Sequence, residues 1–220
     1  MKGFLCALEH QSLKFEKRQM RAVIGFILAG LLTYPGAVLG QSGANQTASA
    51  DLLIAYYTMT GTTRSLAQIV AQGANEVEGI NVTLKPIEAV TVEDLRAADG
   101  IILGSPTYYA NMAGPMKTFI DSIGLEHDSE FLGGKIGGAF ATGGGSGGGK
   151  EHVIVSLLLA MINTGMMVAG PAYGDGQNGY ALPGAAATDP GTPDEFSATE
   201  VEDARRLGRR ISEIALSLVD

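Results

Sequence analysis

The fold is decided by residues 51–63, DLLIAYYTMTGTT, in which a short apolar run leads into a loop of hydroxyl-bearing residues. Asp51–Tyr57 predicts a buried strand, because its apolar residues follow one another without alternation. Apolar residues then recur at helical spacing from Leu66 to Val77. A strand, a tight loop and a helix in this order predict the start of a β-α-β unit.

The rest of the chain repeats this alternation. Further strands are predicted at 81–87, 100–104, 135–142 and 166–172, with helical patterns between them. Thr91 with Asp94 predicts a short capped helix through Ala98. Pro115 begins a second helical pattern, which has one apolar face formed by Met116, Phe119, Ile120 and Ile123. Ser197 with Glu200 predicts the capped start of the last helix. Five strands alternating with helices predict an α/β fold, a doubly wound five-stranded parallel sheet with helices on both faces.

Two segments are unusual for such a fold. Residues 151–164 are apolar nearly all round, which predicts a helix buried between the sheet and another surface. Residues 173–196 are rich in Gly and Pro and predict a loop of 24 residues, a length that is uncommon unless the loop forms a lid or a subunit contact.

The composition limits the kinds of partner that this protein can bind. The 220 residues provide one sizeable core, and a formal charge of −8 argues against a nucleic-acid partner, because phosphate backbones are held by clustered Lys and Arg. A small molecule or another protein is expected instead. No His, Cys or carboxylate cluster has metal-ligand spacing, so no metal site is predicted; His10, His127 and His152 are interpreted as surface or helix-face residues.

The N-terminal region is predicted to be a signal peptide, residues 1–40, with 1–19 an upstream extension before Met20. Ala22–Leu32 has no charge and follows Lys17, Arg18 and Arg21, which is typical of a secretory signal. Cleavage is expected after Gly40 or Ala44. The alternative is an uncleaved membrane anchor over 22–40. Either reading places the protein outside the cytoplasm, in the periplasm or on its membrane.

Removal of residues 1–40 leaves a linker, 41–50, and one domain, 51–220. The remainder has 10 basic and 21 acidic residues, a net charge of −11. It lacks Cys6, the sole cysteine of the chain, so neither a disulfide nor thiol chemistry is expected after export.

The loop after the first strand is a candidate phosphate site. Thr58, Thr60 and Thr63 contribute hydroxyls, and Gly61 allows a tight turn beside the N-terminus of the first helix. Backbone amides and the helix dipole can hold a phosphate there without any cation. The alternative is an ordinary helix cap.

The glycine-rich loop after the fourth strand matches two other phosphate motifs only superficially. Gly144–Lys150 fits GxxxxGK, but Glu151 stands where a Ser or Thr must ligate Mg²⁺, which excludes a nucleoside triphosphatase. Gly143–Gly148 fits GxGxxG in a segment so rich in glycine that a chance match is expected. A flexible loop and a backbone that approaches a flat ligand closely both remain open interpretations.

In a sheet of order 2-1-3-4-5 the loops after strands one, three and four meet at one edge, at the topological switch point. These loops are TMTGTT, the segment GSPTYYANMAGPMKTFID and ATGGGSGGGKE. They resemble the corresponding loops of the flavodoxin-like superfamily, and most closely those of the WrbA-type NAD(P)H:quinone oxidoreductases. The resemblance covers about residues 51–172 and implies a flavodoxin-like fold with bound FMN.

The resemblance also implies a set of cofactor contacts. The expected phosphate contacts are Thr58, Thr60, Gly61, Thr62 and Thr63. The expected isoalloxazine contacts are Pro106, Thr107, Tyr108, Tyr109 and Asn111, and the expected ring or ribityl contacts are Thr142, Gly143, Gly144 and Gly145. One departure is that His152 follows Glu151, whereas reductases of this type have a His before the corresponding Glu, so no catalytic side chain is predicted.

The function implied by the resemblance is two-electron reduction of a quinone-like acceptor by NAD(P)H, with the flavin carrying the chemistry, in a homodimer or tetramer. One alternative is a flavodoxin, a one-electron carrier whose acidic surface docks to a redox partner. Such carriers commonly have a glycine beside the flavin, and Tyr108-Tyr109-Ala110 has none. A second alternative is a flavin-binding sensor or scaffold without turnover.

Overall fold

The computed structural model describes residues 48–126, 129–145, 148–171, 184–188 and 196–219. The strands in these ranges are β1 (Ala50–Tyr56), β2 (Ile80–Pro86), β3 (Gly100–Tyr108), β4 (Asn111–Met112), β5 (Ile136–Gly143), β6 (Met167–Val168) and β7 (Ala185–Thr188). The helices are α1 (Thr62–Ala74), α2 (Val92–Ala97), α3 (Gly114–Glu126), α4 (Lys150–Asn163) and α5 (Ala198–Val219), with short 3₁₀ turns at Ile87–Ala89 and Ser129–Leu132.

The central sheet is parallel and has the order β2-β1-β3-β5-β6. This confirms the predicted order 2-1-3-4-5, since β4 is only a two-residue antiparallel partner of β3. The end of β1 pairs with β3 at Tyr56↔Gly104, and β3 continues beside β5 as far as Pro106↔Thr142. The loops after β1, β3 and β5 therefore leave neighbouring strands at the same edge of the sheet.

Successive side chains of each strand point to opposite faces of the sheet, so the core has two layers, one on each face. Leu52, Ile54 and Tyr56 of β1 pack in the layer that α1 and α5 cover. Leu53 and Ala55 point to the other layer, which α2, α3 and α4 cover. The strands are apolar on both faces because helices cover both, as in other parallel sheets.

The helix that follows the predicted phosphate loop is held by α5. A Cβ atom on Gly73 of α1 would lie 2.1 Å from the backbone oxygen of Arg205, and one on Gly208 of α5 would lie 2.0 Å from that of Val70. Only glycine permits this approach of the two backbones. Arg209 adds an ion pair to Glu76, with an N–O distance of 2.6 Å. The position of α1, and of the loop before it, follows from this contact.

The third strand is longer than predicted. The apolar run predicts an end at Gly104, and Pro106, which cannot donate to a ladder, follows two residues later. In the structure β3 runs to Tyr108, since Ser105 and Pro106 pair with Ala141 and Thr142 of β5. Among the described strands β1 pairs with β3 no further than Gly104, so the other edge of β3 tolerates a residue without an N–H group there.

The fifth strand is divided into two pieces, which corrects both the predicted strand 166–172 and the predicted loop 173–196. Met167–Val168 pairs with the start of β5, and Ala185–Thr188 pairs with its end. The second piece was missed because alanines carry little strand signal. It packs closely, since a Cβ on Gly184 would lie 2.1 Å from the backbone oxygen of Ala139. Residues 172–183 and 189–195 lie outside the described ranges.

The other predicted elements agree closely with the structure. The capping box of Thr91 and Asp94 is present, with both reciprocal hydrogen bonds, and so is that of Ser197 and Glu200. No described helix is long and apolar enough to cross a membrane. The predicted signal peptide or anchor, together with most of the predicted linker, lies in residues 1–47, outside the described ranges.

Candidate functional site

The loop after β1 is held by its own hydroxyl groups. The amide of Gly61 donates to Thr58 Oγ1 at 3.0 Å, and the hydroxyls of Thr60 and Thr62 lie 3.5 Å apart. Gly61 adopts φ 104°, a left-handed conformation that disfavours a side chain. The loop therefore turns sharply into α1 and brings Thr62 and Thr63 into the first helical turn.

The N-terminus of α1 is open to an anion. Among the described residues no side chain caps it, and its first turn contains no acidic residue. The first amides of a helix have no partner within the helix, and they sit at the positive end of its dipole. This geometry suits a phosphate group, and the exposed Arg64 is the cation that lies in the same turn.

The loop after β3 is a two-residue hairpin turn. Tyr108 pairs with Asn111, and the residues between them, Tyr109 and Ala110, have φ values of 51° and 60°. Turns of this kind require positive φ at both positions and normally use Asn or Gly. Two ordinary side chains in this conformation are strained, and such strain is concentrated at functional sites.

The two tyrosines of this hairpin have opposite environments. Tyr109 is fully exposed, at 105% of its reference area, whereas Tyr108 is half-buried. Burial, and to a smaller extent the neighbouring Tyr57, raises the pKa of the Tyr108 phenol above its usual value. The Tyr108 phenol therefore stays neutral to a higher pH than an exposed tyrosine does, and Tyr109 offers an exposed aromatic face.

The glycine-rich loop after β5 packs against this hairpin at both of its ends. A Cβ on Gly143 would lie 3.0 Å from Thr107 Cβ, and a Cβ on Gly149 would lie 2.7 Å from Ala110 Cβ. Gly149 has φ 88° and is the N-cap of α4. Glycine is thus required at Gly149 both for its conformation and for the contact with Ala110.

One buried hydrogen bond joins the first loop to the third. The hydroxyls of Thr63 and Thr142 lie 2.8 Å apart, and both side chains are buried. Thr142 is also the strand partner of Pro106. Three segments that are far apart in sequence therefore meet at a single place, the carboxyl edge of β1, β3 and β5.

Comparison with known proteins identifies the family of this chain. A family profile described as NADPH-dependent FMN reductase matches residues 88–178. The flavodoxin of Aquifex aeolicus (strain VF5) is 38% identical over 169 residues, which span 77% of this chain and 89% of that protein. The chain belongs to the flavodoxin-like family of FMN-binding oxidoreductases.

Two solved structures have a fold similar to that of this chain. A flavodoxin, WrbA-like protein from Agrobacterium tumefaciens has 26% identity and a TM-score of 0.62, covering 76% of this chain and 98% of that one. A flavodoxin from the domain Archaea has 23% identity and a TM-score of 0.59, covering 75% of this chain and 98% of that one. At this identity, the comparison with the archaeal flavodoxin shows a similarity of fold alone.

The residues at this edge fit an FMN of the flavodoxin-like family. Thr107 Oγ1 is buried and has no hydrogen-bond partner among the described residues. A buried hydroxyl without a partner is costly, and a ring carbonyl or nitrogen would satisfy it. The open helix N-terminus suits the phosphate, and the glycine backbone of the third loop can approach a flat ring closely.

Most of the predicted contact residues converge at this edge. Thr58, Thr60, Gly61, Thr62 and Thr63 form the first loop, and Thr142 is bonded to it. Pro106 and Thr107 lie at the end of β3, and Asn111 uses its side-chain oxygen to accept from the amide of Met112 at 2.9 Å. Gly144 and Gly145 are exposed at the loop. The contacts of all these residues with FMN, and those of Tyr108, Tyr109 and Gly143, stay predictions.

Sequence reasoning missed two residues of this site. Gly149 clamps the hairpin, and Lys150 places a buried ammonium group at the glycine-rich loop, where Nζ donates to the carbonyl of Gly145 at 2.7 Å. The only sequence signal for both was the GxxxxGK match. That match was rejected as a triphosphate motif, but its second glycine and its lysine lie at the edge where the three loops meet.

No group of three potential metal ligands occurs among the described residues. His152 lies exposed on α4, as a helix-face residue, and His127 is outside the described ranges.

Proposed function

We propose that the protein is an FMN-dependent NAD(P)H:quinone oxidoreductase that transfers two electrons at a time. The observation that carries this proposal is the hairpin turn of Tyr109 and Ala110. Both residues already occupy the left-handed region, and Gly149 packs against Ala110. A one-electron carrier benefits from a glycine peptide that reorients beside the ring. A clamped turn without glycine lacks that freedom.

The chain would hold the cofactor by two separate sets of groups. The amides of the first turn of α1, with the hydroxyls of Thr58, Thr60 and Thr62, would bind the phosphate. Thr107 Oγ1 and the backbone of Gly143–Gly145 would contact the ring. When bound, FMN supplies the electron transfer from a nicotinamide donor to the acceptor.

Exposed apolar side chains would receive the substrates. Met59 in the first loop is 69% exposed, and Tyr109 in the second loop is fully exposed. Both project from loops that border the proposed ring position. Flat substrates such as a nicotinamide or a quinone can stack on such surfaces, which dock them by area and by offset aromatic contact.

A flavodoxin, a one-electron carrier for a redox partner, is the second candidate. The relative from Aquifex aeolicus bears that name. The acidic surface of the chain also suits electrostatic docking to a basic partner. The two candidates share the FMN site and differ in turnover.

Self-association is part of the proposal. Val155, Leu159 and Ile162 of α4 are 41%, 58% and 50% exposed and form one stripe, because they are spaced four and three residues apart. The stripe adjoins an open groove of about 470 Å³ lined in part by Met112 and Ile120. Residues 153–163 carry no charge. A second copy of this chain is the proposed occupant, because the uncharged stripe lets two acidic copies meet without bringing like charges together.

Export is proposed on the N-terminal sequence alone. Sequencing of the N-terminus of the protein isolated from its own cells tests it. A start at Gln41 or Asn45 agrees with cleavage, and retention of Ala22–Leu32 in a membrane fraction agrees with an anchor. A soluble cytoplasmic protein that keeps these residues would contradict both.

Steady-state turnover separates the two functions. The full chain is reconstituted with FMN, and oxidation of NADH or NADPH is followed with and without a benzoquinone, with free FMN at the same concentration as control. Quinone-dependent oxidation well above the control supports the reductase. Bound FMN without turnover, reduced by dithionite in two one-electron steps, favours the carrier. Bound FMN with neither property would indicate a sensor or scaffold.

A further inference from the structure

Ser105 is a fully buried residue at the base of the hairpin that follows β3. Its hydroxyl donates to the carbonyl of Pro106 at 2.8 Å and accepts from the amide of Ala113 at 3.0 Å. The second bond spans eight positions of the chain. The side chain therefore joins the place where the hairpin begins to the place where it ends.

The bond to Ala113 also ties the hairpin to the helix that follows it. Ala113 is buried and directly precedes Gly114, the first residue of α3. Its carbonyl accepts from the amide of Lys117 in the first turn of that helix. A buried amide that loses its partner is costly, so removal of the Ser105 hydroxyl would favour movement of the chain between the hairpin and α3.

The bond to Pro106 sets the direction of the next peptide group. A peptide unit is planar, so a Pro106 carbonyl that is held in place also fixes the plane from which the chain continues into Thr107. Thr107 carries the buried hydroxyl that has no partner among the described residues. Ser105 therefore orients the residue whose hydroxyl is proposed to contact the ring.

The turn of the hairpin needs such restraints. Tyr109 and Ala110 both have positive φ values, and strained residues keep their conformation only where the surrounding structure leaves no alternative. Two strand pairs hold the arms of the hairpin, Gly149 packs on Ala110 at its tip, and Ser105 closes its base. The restraint at the base is the one that connects both arms to α3.

We propose that Ser105 is a positioning residue for the flavin ring, because it keeps the hairpin in the conformation that binds the ring before the cofactor arrives. It does not contact the ring, since its hydroxyl is already engaged as a donor and as an acceptor. A site whose binding conformation is only partly populated loses affinity in proportion to that population. The inference rests on the proposed FMN site.

The role assigned to Ser105 concerns the ring end of the site. The loop after β1 is held by its own hydrogen bonds, and neither partner of Ser105 belongs to that loop. A ligand that offers only a phosphate should therefore bind independently of Ser105. Riboflavin, which has the ring and the ribityl chain without the phosphate, should depend on Ser105 as much as FMN does.

The test measures the affinities of the full chain for oxidised FMN and riboflavin by flavin fluorescence, and for inorganic phosphate by its competition with FMN. Ser105→Ala should weaken the binding of both flavins by the same factor. We expect a loss of about tenfold, which corresponds to a tenfold smaller population of the binding conformation. The inhibition constant of phosphate should not change. Ser105→Thr retains the hydroxyl and should restore the affinity for both flavins.

Ser122→Ala is the matched control. The hydroxyl of Ser122 donates to the carbonyl of Phe119 at 2.8 Å, in α3 and about two turns beyond the hairpin. This variant also removes one hydrogen bond between a side chain and the backbone, and it should leave all three affinities unchanged. If Ser105→Ala does not fold, Ser105→Cys keeps the shape with a weaker donor and acceptor, and it should give a smaller loss for both flavins.

Unchanged flavin affinities in a less stable Ser105→Ala protein would overturn the inference, because Ser105 would then serve the fold alone. An equal loss for phosphate and for the flavins would also overturn it, since the effect would not be specific to the ring end. The proposed function would survive both results. Failure of the wild-type chain to bind FMN would instead overturn the proposed FMN site and the inference together.

Discussion

The two ends of the candidate site are built in different ways. The phosphate end, residues 58–63, is held mainly by short-range hydrogen bonds and by the start of α1, and its hydroxyls already have partners. The ring end, residues 105–111, 142–145 and 148–150, combines a strained hairpin, a hydroxyl without a partner in the described part of the chain, and a buried lysine. The first is a preformed local structure, whereas the second depends on contacts between remote segments.

The largest predicted effect tests the contact between the hairpin and the glycine-rich loop. Gly149→Ala should lower the free energy of unfolding by about 3 kcal/mol. A side chain at φ 88° costs about 1–2 kcal/mol, and overpacking against Ala110 adds a similar amount. Urea unfolding of the two proteins measures the difference.

Gly144→Ala is the matched control within the same loop. A Cβ on Gly144 would meet no atom within 4 Å. Its substitution should therefore change stability by no more than about 0.5 kcal/mol. Equal effects of the two substitutions would mean that the ring end is as loosely built as a surface loop.

The next prediction concerns the hydrogen bond that joins the two ends. Thr63→Val should cost about 2 kcal/mol, because it leaves the buried hydroxyl of Thr142 without its partner. The double variant Thr63→Val/Thr142→Val removes both hydroxyls and should be less destabilised than the sum of the single variants. A double-mutant cycle by urea unfolding gives the coupling. Strict additivity would show that the ends are independent.

The contrast between the two ends of the site explains which features of the structure could be predicted from the sequence. The strand order was predicted correctly, and so was the turn of TMTGTT into a helix, because apolar runs and a loop of this composition are local patterns. The extension of β3 to Tyr108, the strand Ala185–Thr188 and the pair Thr63–Thr142 were missed. Each depends on a partner distant in sequence, and the last spans 79 residues. Burial of Lys150 has the same origin.

The third prediction measures the strain in the hairpin. Tyr109→Asn should raise the free energy of unfolding by about 0.5–1 kcal/mol, since asparagine tolerates positive φ and the exposed tyrosine ring contributes little packing in the chain alone. The same variant should weaken binding of FMN if Tyr109 contacts the ring. Urea unfolding without cofactor isolates the first effect. A loss of stability would mean that the phenol ring packs on the fold.

The smallest expected effect comes from the other tyrosine of the hairpin. Burial raises the pKa of Tyr108, so the neutral phenol is favoured in the folded state, while in the unfolded chain it ionises near pH 10. The stabilising contribution is therefore complete below about pH 10 and is lost as the pH rises through the raised pKa of the folded state. Stability of the wild type should decline more steeply than that of Tyr108→Phe as the pH rises above about pH 10.

Tyr109→Phe makes the same chemical change one residue away, on a fully exposed side chain, so the difference between the two variants isolates the effect of burial. The same pair of variants also tests where the cofactor ring binds. A flat ring placed against the hairpin would cover Tyr108 further and raise its pKa again, whereas a ligand held by the phosphate end alone would not. Repetition of the titration with bound FMN therefore reports which end of the site the ring occupies, and an unchanged alkaline limb would place the ring away from β3.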